Sequence, residues 1–201
     1  MKLILSSCDF LNENSKKCIL DNITKPLDKN KVLFIPNEKF QVDNLDKYYK
    51  RLEYDGFKKE NIFIFNEYEV DKFEDLDIDL IYIGGGNTFY TLDKLKKTNF
   101  DKCIIEYLNK GVIYIGGSCG AHIVSSNIEH VLAFDTNHVG LTDFNGLNLF
   151  KGIIIPHYNK DREYVYNSLL KENKYKVYPL TNDGSIVIND KIVKIYDINL
   201  I

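Results

Sequence analysis

Val112-Ile113-Tyr114-Ile115-Gly116-Gly117-Ser118-Cys119-Gly120-Ala121 is the stretch on which the reading of this chain turns. Four consecutive apolar residues without alternation predict a short strand buried on both faces. The segment from His122 to Asn127 can continue as a helix. Strand, glycine-flanked serine and helix are the context in which G-x-S-x-G forms a nucleophile elbow. The reason is steric: a serine at the apex of so sharp a turn sits in a strained backbone conformation, and Gly116 and Gly120 leave room for it. The same turn aims the Cys119 N–H at any oxyanion that forms on the serine. The register assigns the nucleophile to Ser118, because G-x-C-x-G would need glycine where Ala121 stands.

Similar runs recur on either side of the elbow. Residues 2–6, Val32-Leu33-Phe34-Ile35, Ile62-Phe63-Ile64-Phe65, Leu80-Ile81-Tyr82-Ile83 and Ile153-Ile154-Ile155 each predict a buried strand. Between them lie segments with helical periodicity. Ile19, Leu20, Ile23 and Leu27 fit one face of a helix ended by Pro26, and Val42 to Tyr54 fits another, stopped by Gly56. Phe100, Cys103, Ile104, Tyr107 and Leu108 form an i, i+3, i+4, i+7, i+8 stripe closed by Gly111. A further helix from Asp161 to about Lys171 is expected to pack Tyr164, Val165, Ser168 and Leu169, whereas residues 129–149 look irregular. Ser185 to Tyr196 predicts a hairpin around Asn189-Asp190. Apolar strands alternating with helices give an α/β fold of three layers, a mostly parallel central sheet with helices on both faces and a C-terminal β-hairpin. The expectation is one domain over residues 1–201.

The net charge of −3 argues against nucleic acid or an anionic membrane held by bulk electrostatics. No apolar run approaches the ~18 residues of a membrane span, and the apolar N-terminal stretch is too short for a signal peptide. Cys8, Cys18, Cys103 and Cys119 show no C-x-x-C pair, so free thiols in a reducing cytoplasm are expected and zinc is not. Asp75-x-Asp77-x-Asp79 opens like a calcium loop, but Leu80 replaces the required glycine and Gly86 the closing glutamate. No metal and no cofactor are expected.

In an open parallel sheet, ligands bind at the carboxyl ends of strands. Three such ends carry unusual residues: Gly84-Gly85-Gly86-Asn87-Thr88, the elbow, and Pro156-His157. Gly85 or Gly86 is the candidate second oxyanion donor beside Cys119. Asn87 or Thr88 either caps the next helix or lines the site. Among the four histidines, His157 follows a strand and a proline at the functional edge and is the candidate base. His122, His130 and His138 are weaker candidates. Asp135 lies between Ser118 and His157, an order that can build a triad; Glu129, Asp161 and Glu163 remain alternatives for the orienting acid.

Ile83-Gly84-Gly85-Gly86-Asn87-Thr88, Gly116-Gly117-Ser118-Cys119-Gly120-Ala121 and Pro156-His157, in this order, resemble the peptidase E (aspartyl dipeptidase) family of serine peptidases, relatives of cyanophycinase. The likeness runs from the first strand to about residue 170; the family's usual S-A-G-A reads S-C-G-A here. It implies a fold like that of class I glutamine amidotransferases and a Ser-His-acid mechanism without metal. Carried over by position, Ser118 is the nucleophile, His157 the base and Asp135 the acid. An acidic substrate side chain would need a basic partner, for which Arg162 is the candidate. The expected substrate is a small peptide, and the expected state a cytoplasmic monomer or homodimer. Two alternatives stand beside this: an esterase of the α/β-hydrolase type, and a non-catalytic binding member of the amidotransferase-like fold.

Overall fold

A computed structural model describes residues 1–190 and 192–197 of the chain. Strands β1 (Lys2–Ser6), β2 (Val32–Phe34), β3 (Ile62–Ile64), β4 (Leu80–Ile83) and β5 (Ile113–Gly117) run parallel in the order β3-β2-β4-β5-β1. Strands β6 (Ile153–Ile155) and β7 (Val177–Pro179) form a separate parallel pair. Strands β8 (Ser185–Asn189) and β9 (Ile192–Tyr196) extend the central sheet beyond β1 as the expected antiparallel hairpin. Its turn includes Asp190 at φ 53°, and Lys191 lies outside the described residues.

Side chains alternate across the sheet, as the strand period requires. On one face Ile4, Val32, Ile62, Leu80, Tyr82, Ile113 and Ile115 pack against helices α1 (Glu13–Asn22) and α2 (Leu45–Asp55), which contribute Ile19, Tyr48 and Leu52. On the other, Leu3, Leu5, Leu33, Ile81, Ile83 and Tyr114 meet α3 (Thr88–Lys97), α4 (Phe100–Asn109) and α5 (Cys119–Ile123). Each fully buried leucine or phenylalanine here contributes about 1.5–3 kcal/mol relative to exposure. The predicted stripe of α4 is borne out, with Phe100, Ile104, Tyr107 and Leu108 buried and Cys103 at its edge.

Three local expectations need correction. Helix α1 ends at Asn22, so Leu20 is exposed and Leu27 belongs to a separate 3-10 turn. Asn12 sets where it starts, its side chain accepting from the N–H groups of Asn14 and Ser15. The strand at residues 153–155 does not join the central sheet. The hairpin strand β8 already occupies the free edge of β1, and β6 pairs instead with β7, covered by α6 (Glu163–Glu172) through Ile153, Ile155 and Val165. On α6 itself, Val165 and Leu169 pack, whereas Tyr164 and Ser168 face outward.

The register brings the functional segments to one edge. Ser6 pairs with Gly117, and Ile83 with Gly116, so Ser7, Gly84 and Ser118 leave the sheet side by side. Close packing at this edge explains the glycines. A Cβ on Gly120 would stand 2.1 Å from the Ile83 carbonyl oxygen, and one on Gly117 would stand 2.3 Å from Asp9 Oδ2. Gly120→Ala must therefore push β4 away from the start of α5. We expect it to lower stability by about 3 kcal/mol, the upper end for overpacking, measured by urea denaturation; an unchanged midpoint would contradict this packing.

Candidate active site

Ser118 sits between β5 and α5 with φ 46° and ψ −101°, a left-handed conformation strained for a residue with a side chain. It is held there by its own N–H donating to Ser6 O at 2.9 Å and by Tyr114, whose hydroxyl donates to Gly120 O at 2.9 Å. The N–H of Cys119 opens α5 and so has no partner within that helix. The Cys119 thiol is buried, donates to Thr91 Oγ1 at 3.4 Å, and is pushed up to about 12 by burial. The thiol is thus held protonated in the interior, whereas the neighbouring Ser118 is partly exposed.

His157 reaches the serine from a different sheet. Ser7, at the end of β1, ties the two together: its hydroxyl donates to Leu180 O at 3.1 Å and accepts from His157 N–H at 3.0 Å. The resulting left-handed His157 (φ 54°) places its Nε2 3.0 Å from Ser118 Oγ. Its other ring nitrogen, Nδ1, lies 2.8 Å from Asn182 Oδ1. An imidazole that donates from Nδ1 to this amide oxygen presents the Nε2 lone pair to the serine hydroxyl, the tautomer a base needs.

Asp135 therefore does not occupy the place behind His157. Its Oδ2 accepts from Thr88 N–H at 2.8 Å, 47 residues away in sequence, at the positive end of α3. Glu129, Asp161 and Glu163 do not hydrogen-bond His157 either. Sequence order favours an acid in this position, but the chain returns between β7 and β8 with an asparagine. Asn87 and Thr88 serve the start of α3. Asn87 accepts from Tyr90 N–H and donates to Thr136 O, and Thr88 is buried at 1% exposure. Arg162 is half-buried; its Nη1 donates to Pro156 O at 2.7 Å and its guanidinium stacks 4.0 Å over Phe134. It braces the peptide just before His157. His122 and His130 pair at 3.2 Å in the interior, where burial holds both below the usual range, His130 at about 4. His138 stacks on Tyr90 instead.

Gly85 borders the serine: a Cβ there would lie 3.7 Å from Ser118 Cβ. Beyond it opens a cavity of about 340 Å³ lined by Phe34, Asn37, Tyr48, Arg51, Gly85 and Gly86. A second cavity of similar size, about 350 Å³, lies against α6, and neither cavity includes Ser118 or His157 in its walls.

The model of peptidase family S51 matches residues 2–196. The chain belongs to that family. An S51 relative in Listeria monocytogenes, an uncharacterized peptidase, is 39% identical over 120 residues, which cover 57% of this chain and 58% of the relative. The match thus spans little more than half the length of that curated protein. A crystal structure of a candidate peptidase E protein from Listeria monocytogenes EGD-e superposes with a TM-score of 0.78 at 29% identity and covers 98% of both chains. A peptidase from an acI-B1 actinobacterium shares the fold, with a TM-score of 0.65 at 19% identity over 98% of this chain and 87% of that one. The architecture is that of class I glutamine amidotransferases, as the S51 resemblance implies. The α/β-hydrolase alternative falls with this assignment, since its histidine follows the last strand and here β7, β8 and β9 follow His157.

A partly buried ionic cluster underlies this S51 elbow. Asp9, at φ 44°, backs Gly117 and meets Arg51 Nη2 at 3.4 Å, while Arg51 Nε reaches Asp55 at 3.1 Å. Burial raises both carboxyls against the opposing pull of Arg51, Asp55 up to about 6. A carboxyl raised on folding stabilises the protein most below its unfolded value and loses that contribution as pH rises through its folded value. Asp55→Asn, which keeps the uncharged form, should therefore gain in Tm relative to the parent between pH 4 and pH 7. Melting curves at both ends of that window check the sign; a constant difference would mean that Asp55 does not titrate there.

Among the described residues no helix is long and apolar enough to cross a membrane, and no group of three or more His, Cys, Asp or Glu side chains is arranged for a metal ion.

Proposed function

We propose that the protein is a serine peptidase that hydrolyses a small peptide through an acyl-enzyme on Ser118. The observation that carries this reading is the 3.0 Å approach of His157 Nε2 to Ser118 Oγ, with the serine on a strained strand-to-helix turn. His157 takes the hydroxyl proton as Oγ attacks the peptide carbonyl, and returns it to the departing amine. Water then attacks the ester, again with His157 as base, and releases the acid and Ser118. Asn182 holds the imidazole in the required tautomer, the role asparagine has in Cys-His-Asn sites. The oxyanion lies between the Cys119 N–H and an N–H of the Gly85-Gly86 turn, and each such donor is worth about 10²–10³ in rate. A cavity of about 340 Å³ borders the Gly85-Gly86 turn on the side of Asn37, Tyr48 and Arg51. The free thiols Cys8, Cys18, Cys103 and Cys119 fit a cytoplasmic location.

The test is hydrolysis of a dipeptide library that includes Asp-X members, because the family resemblance implies an acidic first residue. Turnover of one dipeptide class supports the reading. Failure to cleave any member, with no labelling of Ser118 by a fluorophosphonate, leaves the non-catalytic alternative. That alternative calls for a serine out of reach of every histidine, and the 3.0 Å contact weighs against it.

A further inference from the structure

The Gly84-Gly85-Gly86 turn has no side chains with which to hold its own shape, and an oxyanion donor is useful only if its peptide plane faces the right way. The structure supplies the missing constraint from β2. After Pro36 the chain places Asn37 directly beneath the turn, where its Nδ2 donates to Gly84 O at 2.9 Å and to Gly85 O at 2.6 Å. In a trans peptide the carbonyl and the following N–H point in opposite directions. Holding these two carbonyls on the Asn37 side turns the N–H groups of Gly85 and Gly86 to the other side. Contact is close enough that a Cβ on Gly86, itself at φ 155°, would stand 2.3 Å from Asn37 Cβ.

Asn37 is itself fixed. Its Oδ1 lies 3.2 Å from Thr91 Oγ1 and 3.9 Å from Cys119 Sγ, both fully buried. The residues on either side of it are clamped by one side chain: Lys94, 5% exposed, donates from Nζ to Pro36 O and, at 3.3 Å, to Glu38 O. A buried ammonium is costly unless its donors are used, and here they are used on the two carbonyls that bracket Asn37. The Lys94 ammonium also lies over the Tyr90 ring at 5.5 Å and the Phe65 ring at 5.9 Å.

We propose that Asn37 is the positioning residue of the oxyanion site, holding the Gly84 and Gly85 carbonyls so that the N–H groups of Gly85 and Gly86 stay available, with Lys94 and Thr91 fixing Asn37 in turn. This inference rests on the serine-peptidase reading and assigns a residue that the glycine-rich motif does not contain.

The charge on the side chain separates this role from simple packing. Aspartate has the shape of asparagine but presents only acceptors to two carbonyl oxygens, which drives the turn to reorient. Alanine leaves Gly85 O to water and Gly84 O with only the Gly120 N–H at 3.3 Å. The experiment measures the second-order rate of labelling by a fluorophosphonate. In that step Ser118 Oγ forms the bond to phosphorus, fluoride leaves, and the serine proton passes to His157. Rates are compared for the parent, Asn37→Ala and Asn37→Asp, each checked for an unchanged far-UV spectrum. We expect Asn37→Ala to slow labelling about tenfold and Asn37→Asp about 10²-fold, approaching the loss of one oxyanion donor. Aspartate faster than alanine would show that the side chain only fills space, and parental rates in both would remove the role altogether; either result overturns the proposal. A parent that does not label at Ser118 overturns the serine-peptidase reading, and this inference with it.

Discussion

Ser118→Ala is expected to abolish peptide hydrolysis and fluorophosphonate labelling while leaving the fold intact. The expected loss in kcat is on the order of 10⁴–10⁶, the range in which removing the nucleophile of a serine hydrolase leaves only binding and oxyanion stabilisation. The fold should not suffer, because the Ser118 hydroxyl makes its hydrogen bond to His157 and none to the core. Alanine relaxes none of the backbone strain at φ 46°, so Tm should stay close to that of the parent. Mass spectrometry of the labelled parent should place the adduct on the peptide that contains Ser118. Labelling retained in the variant, or found on Cys119, would sink the assignment.

The second large effect concerns the residue behind the base. Asn182→Ala removes the acceptor 2.8 Å from His157 Nδ1 and should lower kcat/KM on the order of 10²–10³-fold. That is less than the loss of a carboxylate, since an amide holds the tautomer without stabilising the imidazolium by charge. Asn182→Asp adds that charge. A carboxylate against the ring favours the protonated imidazole, so the acidic limb of kcat/KM should move to higher pH, by about one to two units. Asp135→Asn gives the contrast. Asp135 bonds Thr88 N–H rather than His157, so its replacement should weaken the start of α3 and leave that limb in place. A shifted limb in Asp135→Asn and none in Asn182→Asp would show that the acid, not the amide, governs the base.

Much of this site is legible in the residues themselves. Ser118 declares itself because a strained turn needs small residues close by, and Gly116 and Gly120 lie two positions to either side of it. His157 follows from its place after an apolar run and a proline. Asn182 carries no comparable signal: it stands in Leu180-Thr181-Asn182-Asp183-Gly184, which looks like any polar turn. Asn37, 47 residues before Gly84, and Ser7, 150 residues before His157, are equally silent, although each holds a backbone group that the site depends on. Order along the chain pointed to Asp135, and order is a weak guide where partners meet through tertiary packing.

What the sequence determines by itself is the local part: apolar runs that become doubly buried strands, the α4 stripe, the hairpin, and a serine on a turn only glycines permit. Those features depend on neighbours within a few residues, where backbone sterics and hydrophobic period act directly. The tertiary structure alone decided that β6 leaves the central sheet, that an asparagine rather than an aspartate faces His157, and that Asn37 shapes the glycine turn. Each of these turns on hydrogen bonds of about 3 Å between segments far apart in the chain, and no local pattern encodes which distant donor will meet which acceptor.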